Sequence, residues 1–144
     1  QDPLSFRCVS QVHGAVRTAM DYARENLEIH LNASDDNPCL LLEERDITSC
    51  GNFDPLVWVL GMQNLSVALS HVSKMSCLRS LKLAMPGFTG LTRHLTPNDD
   101  TVAFSTLQKT YASMDAEICW QTLSAWTHSL WQAAWRISAR MLRL

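Results

Sequence analysis

Three short stretches carry residue types that can do chemistry. "QDPLSFRC" at residues 1–8 puts Arg7 beside the start of a helix. A guanidinium there can hold a carboxylate through two parallel N–H···O bonds. A lone arginine is more commonly one half of a surface ion pair, and on these residues alone both readings stay open. "SDDNP" at 34–38 gathers two carboxylates, which suits a hard cation. The same string also makes a turn whose Asp and Asn side chains bond the nearby backbone. "CGNF" at 50–53 reads as a glycine turn that exposes the ring of Phe53. The histidines His13, His30, His71, His94 and His128 show no metal-ligand spacing.

The elements that must position these stretches are helices. Val12, Val16, Met20, Ala23 and Leu27 step by four, four, three and four, which predicts one apolar face on a helix from about Ser10 to Leu31. "CLLL" and "DIT" flank the polar "EER" and predict a short β-hairpin ahead of the Gly51–Asn52 turn. Asp54–Pro55 reads as an N-cap followed by proline at the first helical position. The helix after it, about Pro55 to Leu81, is apolar nearly all round, with Val57, Val59, Leu60, Leu65, Leu69, Val72 and Met75. Such a helix is buried on several sides or lies in an oligomer. Pro86, Gly87, Gly90 and Pro97 mark a loop. Asp99 or Asp100 can then cap a third helix with Phe104, Leu107, Tyr111, Met114 and Ile118 on one face. The fold class expected is mainly α, a long-helix bundle with one short β-hairpin.

The chain has 144 residues, 47% hydrophobic and 18% charged, which is one globular domain's worth and excludes disorder. A net charge of −2 offers no bulk attraction to nucleic acid. No uninterrupted apolar run approaches the ~20 residues that span a bilayer, so no membrane partner is expected. Cys8, Cys39, Cys50, Cys77 and Cys119 are odd in number and form no CxxC pair. With no secretory signal they read as reduced thiols, and the expected location is the cytoplasm. The chain begins without Met, as a piece of a longer protein would.

Taken together, "QDPLSFRCVSQVHGAV", "NASDDNP", "GNF", "LTPN" and "LQKTYASMDAEI" resemble, in this order and spacing, the aromatic amino acid ammonia-lyases, the histidine, phenylalanine and tyrosine lyases. The resemblance covers roughly residues 1–120. It implies a central helical bundle, a homotetramer with sites built from several subunits, and loss of ammonia from an L-amino acid to give an α,β-unsaturated acid. It also implies a 4-methylidene-imidazol-5-one (MIO) prosthetic group formed from Ala-Ser-Gly. The chemistry needs that electron sink, because the β-proton is weakly acidic and an amine leaves poorly. By the same resemblance Gln1 lies near substrate and prosthetic group, Arg7 binds the substrate carboxylate, Asn37 is a polar partner beside both, and Phe53 packs against the substrate.

There are three departures. Leu4 stands where many members have a tyrosine given a base or proton-transfer role, which leucine cannot perform. No Ala-Ser-Gly occurs in the chain, which places it in the C-terminal half of such an enzyme, inactive alone. The family's "ANPVS" segment and acidic loop do not follow "DAEI"; instead the chain ends in "CWQTLSAWTHSLWQAAWRISARMLRL", with four of its five tryptophans.

That tail has three readings. A membrane-surface helix would use Trp and Arg in this way, although Trp126, Trp131 and Trp135 do not line one narrow face. An ordinary core helix is a second. The third follows from the single codon of tryptophan, TGG. Read two bases later, with synonymous codons chosen, the tail becomes Ala-Asn-Pro-Val-Ser-Leu-Asp-Ser-Leu-Pro-Val-Ala-Gly-Gly-Met-Glu-Asp-Gln. Ala after Trp120, Asp after Trp126 and Ala after Trp131 are forced whatever the codons. The expected division is therefore 1–120, a partial ammonia-lyase helical domain, and 121–144, an out-of-frame or divergent tail. The alternative function is a non-catalytic helical oligomerisation or partner-binding fragment.

Overall fold

A computed structural model describes residues 1–141 apart from 35 and 99, with side chains to Ser124. The readings of Asp35, Asp99, His128, Trp126, Trp131 and Trp135 lie outside the described residues or side chains. In chain order come α1 (Leu4–Arg7), α2 (Val9–Leu31), β1 (Cys39–Leu41), β2 (Asp46–Thr48), α3 (Leu56–Leu83), α4 (Pro86–Thr89), a 3-10 turn at Arg93–Leu95, and α5 (Ser105–Met141). The chain is mainly helical with one two-stranded antiparallel sheet, in which Leu40 pairs with Ile47.

α3 is the centre, with α2 packed on one side and α5 on the other. At 28 residues it is about 42 Å long, using 1.5 Å per residue. The α2–α3 seam is made of small residues: Ala19, Ala23 and Gly61 are buried, which lets the two backbones approach closely. The predicted α2 stripe holds for Val12, Val16, Ala23 and Leu27, while Met20 is exposed and Ala19 takes its place at the seam.

The α3–α5 seam is polar. Asp115, 4% exposed, accepts a hydrogen bond from Ser73 Oγ at 3.0 Å and pairs with Lys74 Nζ at 3.1 Å. Further along, Ser66 Oγ lies 3.4 Å from Thr122 Oγ1. These contacts run α5 antiparallel to α3. The apolar face expected to anchor α5 points outward instead, since Phe104, Leu107, Tyr111, Met114 and Ile118 are all exposed.

Two expected caps are displaced. Pro55, not Asp54, is the N-cap of α3, and Asp54 Oδ1 accepts the Leu56 N–H at 2.9 Å from one position further out. α5 starts at Ser105, five residues after Asp100. The intervening chain folds back: Thr101 Oγ1 donates to Asn98 O, Phe104 N–H donates to His94 O, and Ala103 takes a φ of 36°. A helix cannot run through that conformation.

By length and composition α3 is also apolar enough to cross a membrane, which corrects the expectation that no stretch approaches that size. Gln63, Asn64, Ser66 and Ser70 interrupt the apolar residues of α3 but do not outweigh them in mean hydropathy over 18 residues.

The chain leaves much apolar surface uncovered. A compact protein of 16.2 kDa exposes about 7,500 Å²; this chain exposes 11457 Å². No large side chain is fully buried among the described residues.

Candidate functional site

The site residues expected from the sequence fall into two groups. Leu4 and Arg7 lie on the N-terminal turn α1, and Gln1 lies three residues ahead of it. Ser5, 4% exposed, faces inward, whereas Leu4 and Arg7 on the other sides of this single turn are exposed. Among the described residues Arg7 makes no ion pair or side-chain hydrogen bond, so the surface-pair reading of it is not realised within this chain.

The turn is fixed from behind. Arg79 Nη1 on α3 donates to the Ser5 carbonyl at 3.3 Å, and Arg79 Nη2 donates to Ser76 Oγ at 3.2 Å. The Phe6 ring lies 5.3 Å from that of Phe88 on α4, tilted by 40°. α4 ends at Gly90, whose φ of 72° suits glycine and whose N–H closes back on Pro86 O.

The second group lies at the base of the hairpin. The Asn37 side-chain oxygen accepts the Cys50 N–H at 3.0 Å and the Ser49 hydroxyl at 3.2 Å. Cys50 Sγ donates to Asp36 O at 3.3 Å, so two adjacent residues on each side are tied together. Because a backbone N–H can only donate, the carboxamide orientation is settled: oxygen inward, NH₂ available to a ligand. Asn37 precedes a cis proline, Pro38, and is exposed. Asp36 bonds the Asn37 N–H at 2.8 Å, in keeping with the turn reading of "SDDNP". Three residues beyond Cys50, Phe53 is 44% exposed in the turn that Asp54 N–H closes onto Gly51 O at 3.1 Å. Arg7 and Asn37 share no hydrogen bond among the described residues.

A shallow groove lined by Glu25, Glu28, Ile29 and Asn32 contains none of these residues. Away from both groups, the hydrogen bond to Asp115, and then that carboxylate's charge, hold the exposed Lys74 ammonium above the ordinary lysine range. The supporting residues Arg79, Phe88, Ser49 and Cys50 were not found by sequence reasoning. Lys74, Arg79 and Lys82 all stand in the second half of α3, so nothing in the sequence marked Arg79 out from its neighbours.

The family model for aromatic amino acid lyases matches residues 1–134. A histidine ammonia-lyase of Stigmatella aurantiaca is 37% identical over 118 residues, 81% of this chain and 23% of that protein. Among solved structures, the ergothioneine-degrading enzyme ergothionase of Treponema denticola superposes with a TM-score of 0.78 at 46% identity, over 85% of this chain and 25% of its own. The histidine ammonia-lyase of Trypanosoma cruzi gives 0.75 at 26% identity, over 82% of this chain and 24% of its own. The chain belongs to the aromatic amino acid lyase family. It spans about a quarter of the length of the relatives it matches.

Proposed function

We propose that this chain is part of a carbon–nitrogen lyase that eliminates an amine, without oxidation, from an L-amino acid bearing an imidazole or aromatic ring. Arg7 clamps the substrate carboxylate and Asn37 donates a second hydrogen bond to it. Phe53 packs against the ring, and Gln1 lies beside the reacting end. Leu4 can move no proton, so the base comes from elsewhere. The observation that carries the reading is the Arg7 guanidinium, exposed and without a partner among the described residues, on a turn that α3 and α4 hold fixed.

Histidine-type substrates lead, because the curated relatives are histidine ammonia-lyases at 34–40% identity. The 46% identity to an ergothioneine-degrading enzyme makes ergothioneine the next to test.

The prosthetic group of this reading is MIO. Its Ala-Ser-Gly precursor is absent from this chain, so another segment carries it. What this chain offers fits such a group: the free NH₂ of Asn37 and the amide of Gln1 are neutral donors that suit a carbonyl oxygen. When bound, the group supplies the electron sink for the departing amine. Gln1 and Asn37 orient it, and Arg7 and Phe53 orient the substrate against it.

The uncovered apolar surface favours a homo-oligomer, a tetramer in this reading, with no membrane or nucleic acid and a cytoplasmic location. Residues 121–144 are proposed to be an out-of-frame translation of the family's "ANPVS" segment and acidic loop. The coding DNA tests that: a shifted frame with no lyase-like reading from Gln121 to Ser138 refutes it.

The activity test grafts residues 1–120 onto the corresponding segment of the Stigmatella aurantiaca enzyme. Formation of an unsaturated acid from histidine, phenylalanine, tyrosine or ergothioneine supports the reading, and none from any of the four sinks it. The 144-residue chain alone is expected to be inactive. A second reading, a non-catalytic helical oligomerisation or partner-binding fragment, is favoured by the missing tripeptide and the exposed apolar face. Light scattering that finds a stable oligomer, with an inactive graft, would select it.

A further inference from the structure

The Arg7 turn is too short to hold its own shape. α1 joins α2 through Cys8 alone, the cap residue of both, and the break there takes the last carbonyls of α1 out of the helical ladder. Leu4 O is met by the Cys8 N–H at 2.9 Å. Ser5 O receives the guanidinium of Arg79 from across the bundle, a residue 74 positions away in sequence. A cation on a C-terminal carbonyl also has the sign that the helix dipole favours. The second nitrogen of Arg79 is held by Ser76 one turn back on α3, so the fork is fixed at both tines. Ser5 is buried beneath it, which excludes water from competing for that carbonyl. Phe6 against Phe88 closes the other side of the turn.

We infer that Arg79 is a positioning residue for ligand binding, acting through the Ser5 carbonyl to set the direction in which the turn presents Arg7. The part of this inference that concerns ligand rests on the proposed role of Arg7; the part that concerns the turn does not. Arg79 touches no ligand itself. Its planar fork reaches Ser5 O and Ser76 Oγ together, whereas a lysine supplies the charge and one bond at a time.

Two measurements test this. In the full 144-residue chain, amide hydrogen exchange is followed at Arg7 and Cys8, whose N–H groups bond Pro3 O and Leu4 O, and at Ala19 and Ala23 in α2. Arg79→Met should speed exchange at Arg7 and Cys8 about tenfold, the loss of one hydrogen bond to a charged group, and leave α2 unchanged. Arg79→Lys should recover part of the protection. Unchanged exchange at Arg7 and Cys8, equal loosening of every helix, or a wild-type chain without protection at the turn would each overturn the inference. In the grafted enzyme, Arg79→Met should raise KM about tenfold with kcat nearly constant, and Arg79→Lys should restore part of it. A fall in kcat alone would overturn the binding role. Arg7→Met is the separating control. If it leaves KM unchanged, the proposed function of Arg7 fails, while the exchange result still decides whether Arg79 holds the turn.

Discussion

A Cβ placed on Gly61 would sit 3.0 Å from the Cα of Ala23. The neighbouring atom is backbone, so no side chain can swing aside to make room. The close α2–α3 approach therefore depends on hydrogen at this position. Gly61→Val should lower stability by about 2 kcal/mol, as overpacking of a tight seam does. Gly61→Ala should also destabilise, though less than valine, because the helix propensity gained offsets only part of the crowding against the Ala23 backbone. Thermal unfolding of the two variants decides. A valine variant as stable as wild type would mean that the helices are not closely apposed.

Lys74 and Asp115 predict an alkaline effect. The hydrogen bond and charge of Asp115 raise the folded pKa of Lys74 above the ordinary 10.5. A group raised in this way gives its stabilisation fully below the unfolded pKa and loses it as pH rises through the folded one. Wild type should therefore lose thermal stability above the ordinary lysine value more steeply than Lys74→Met. The lysine is exposed and screened, so the difference is small. Removing the buried partner is costlier. Asp115→Ala leaves Ser73 and Lys74 without their acceptor and should cost about 1–3 kcal/mol at neutral pH. Identical alkaline curves for wild type and Lys74→Met would refute the pairing.

The helices and the hairpin were legible because their signals are local. Spacing by four, seven and four of Val12, Val16, Ala23 and Leu27 marks α2 whatever surrounds it. The polar "EER" between two apolar runs likewise fixes a hairpin. The burial of α5 was not legible, because periodicity shows that a face is apolar and not what covers it. Phe104, Tyr111 and Met114 form the face a sequence reading would bury, yet the face turned to α3 carries Asp115 and Thr122. Tertiary hydrogen bonds to the backbone were equally hidden: nothing near Ser5 in sequence announces Arg79. The candidate residues were legible only through a family resemblance, and the structure adds their supports.

Arg7 should be worth what a charged hydrogen-bonding group to a carboxylate is worth. About 1.5–3 kcal/mol corresponds to roughly a 10- to 150-fold rise in KM for Arg7→Met in the grafted enzyme. Arg7→Lys keeps the charge and loses the fork, so it should fall between wild type and methionine. Steady-state kinetics with histidine as substrate gives the order. A lysine variant worse than methionine would argue against a carboxylate at that position.

Asn37 allows its structural and ligand-facing halves to be tested apart. Its oxygen holds Cys50 N–H and Ser49 Oγ, and only its NH₂ is left for a ligand. Asn37→Asp keeps an oxygen for both bonds and replaces the donor by a second carboxylate oxygen. The hairpin should stay closed, with the Cys50 amide still protected from exchange. A bound carboxylate would then meet a like charge, which costs several kcal/mol and should raise KM more than about 100-fold. Asn37→Ala removes both functions, so Cys50 exchange should accelerate as binding weakens. If Asn37→Asp binds substrate as well as wild type does, the NH₂ group donates nothing to it, and Asn37 serves only to tie the base of the hairpin.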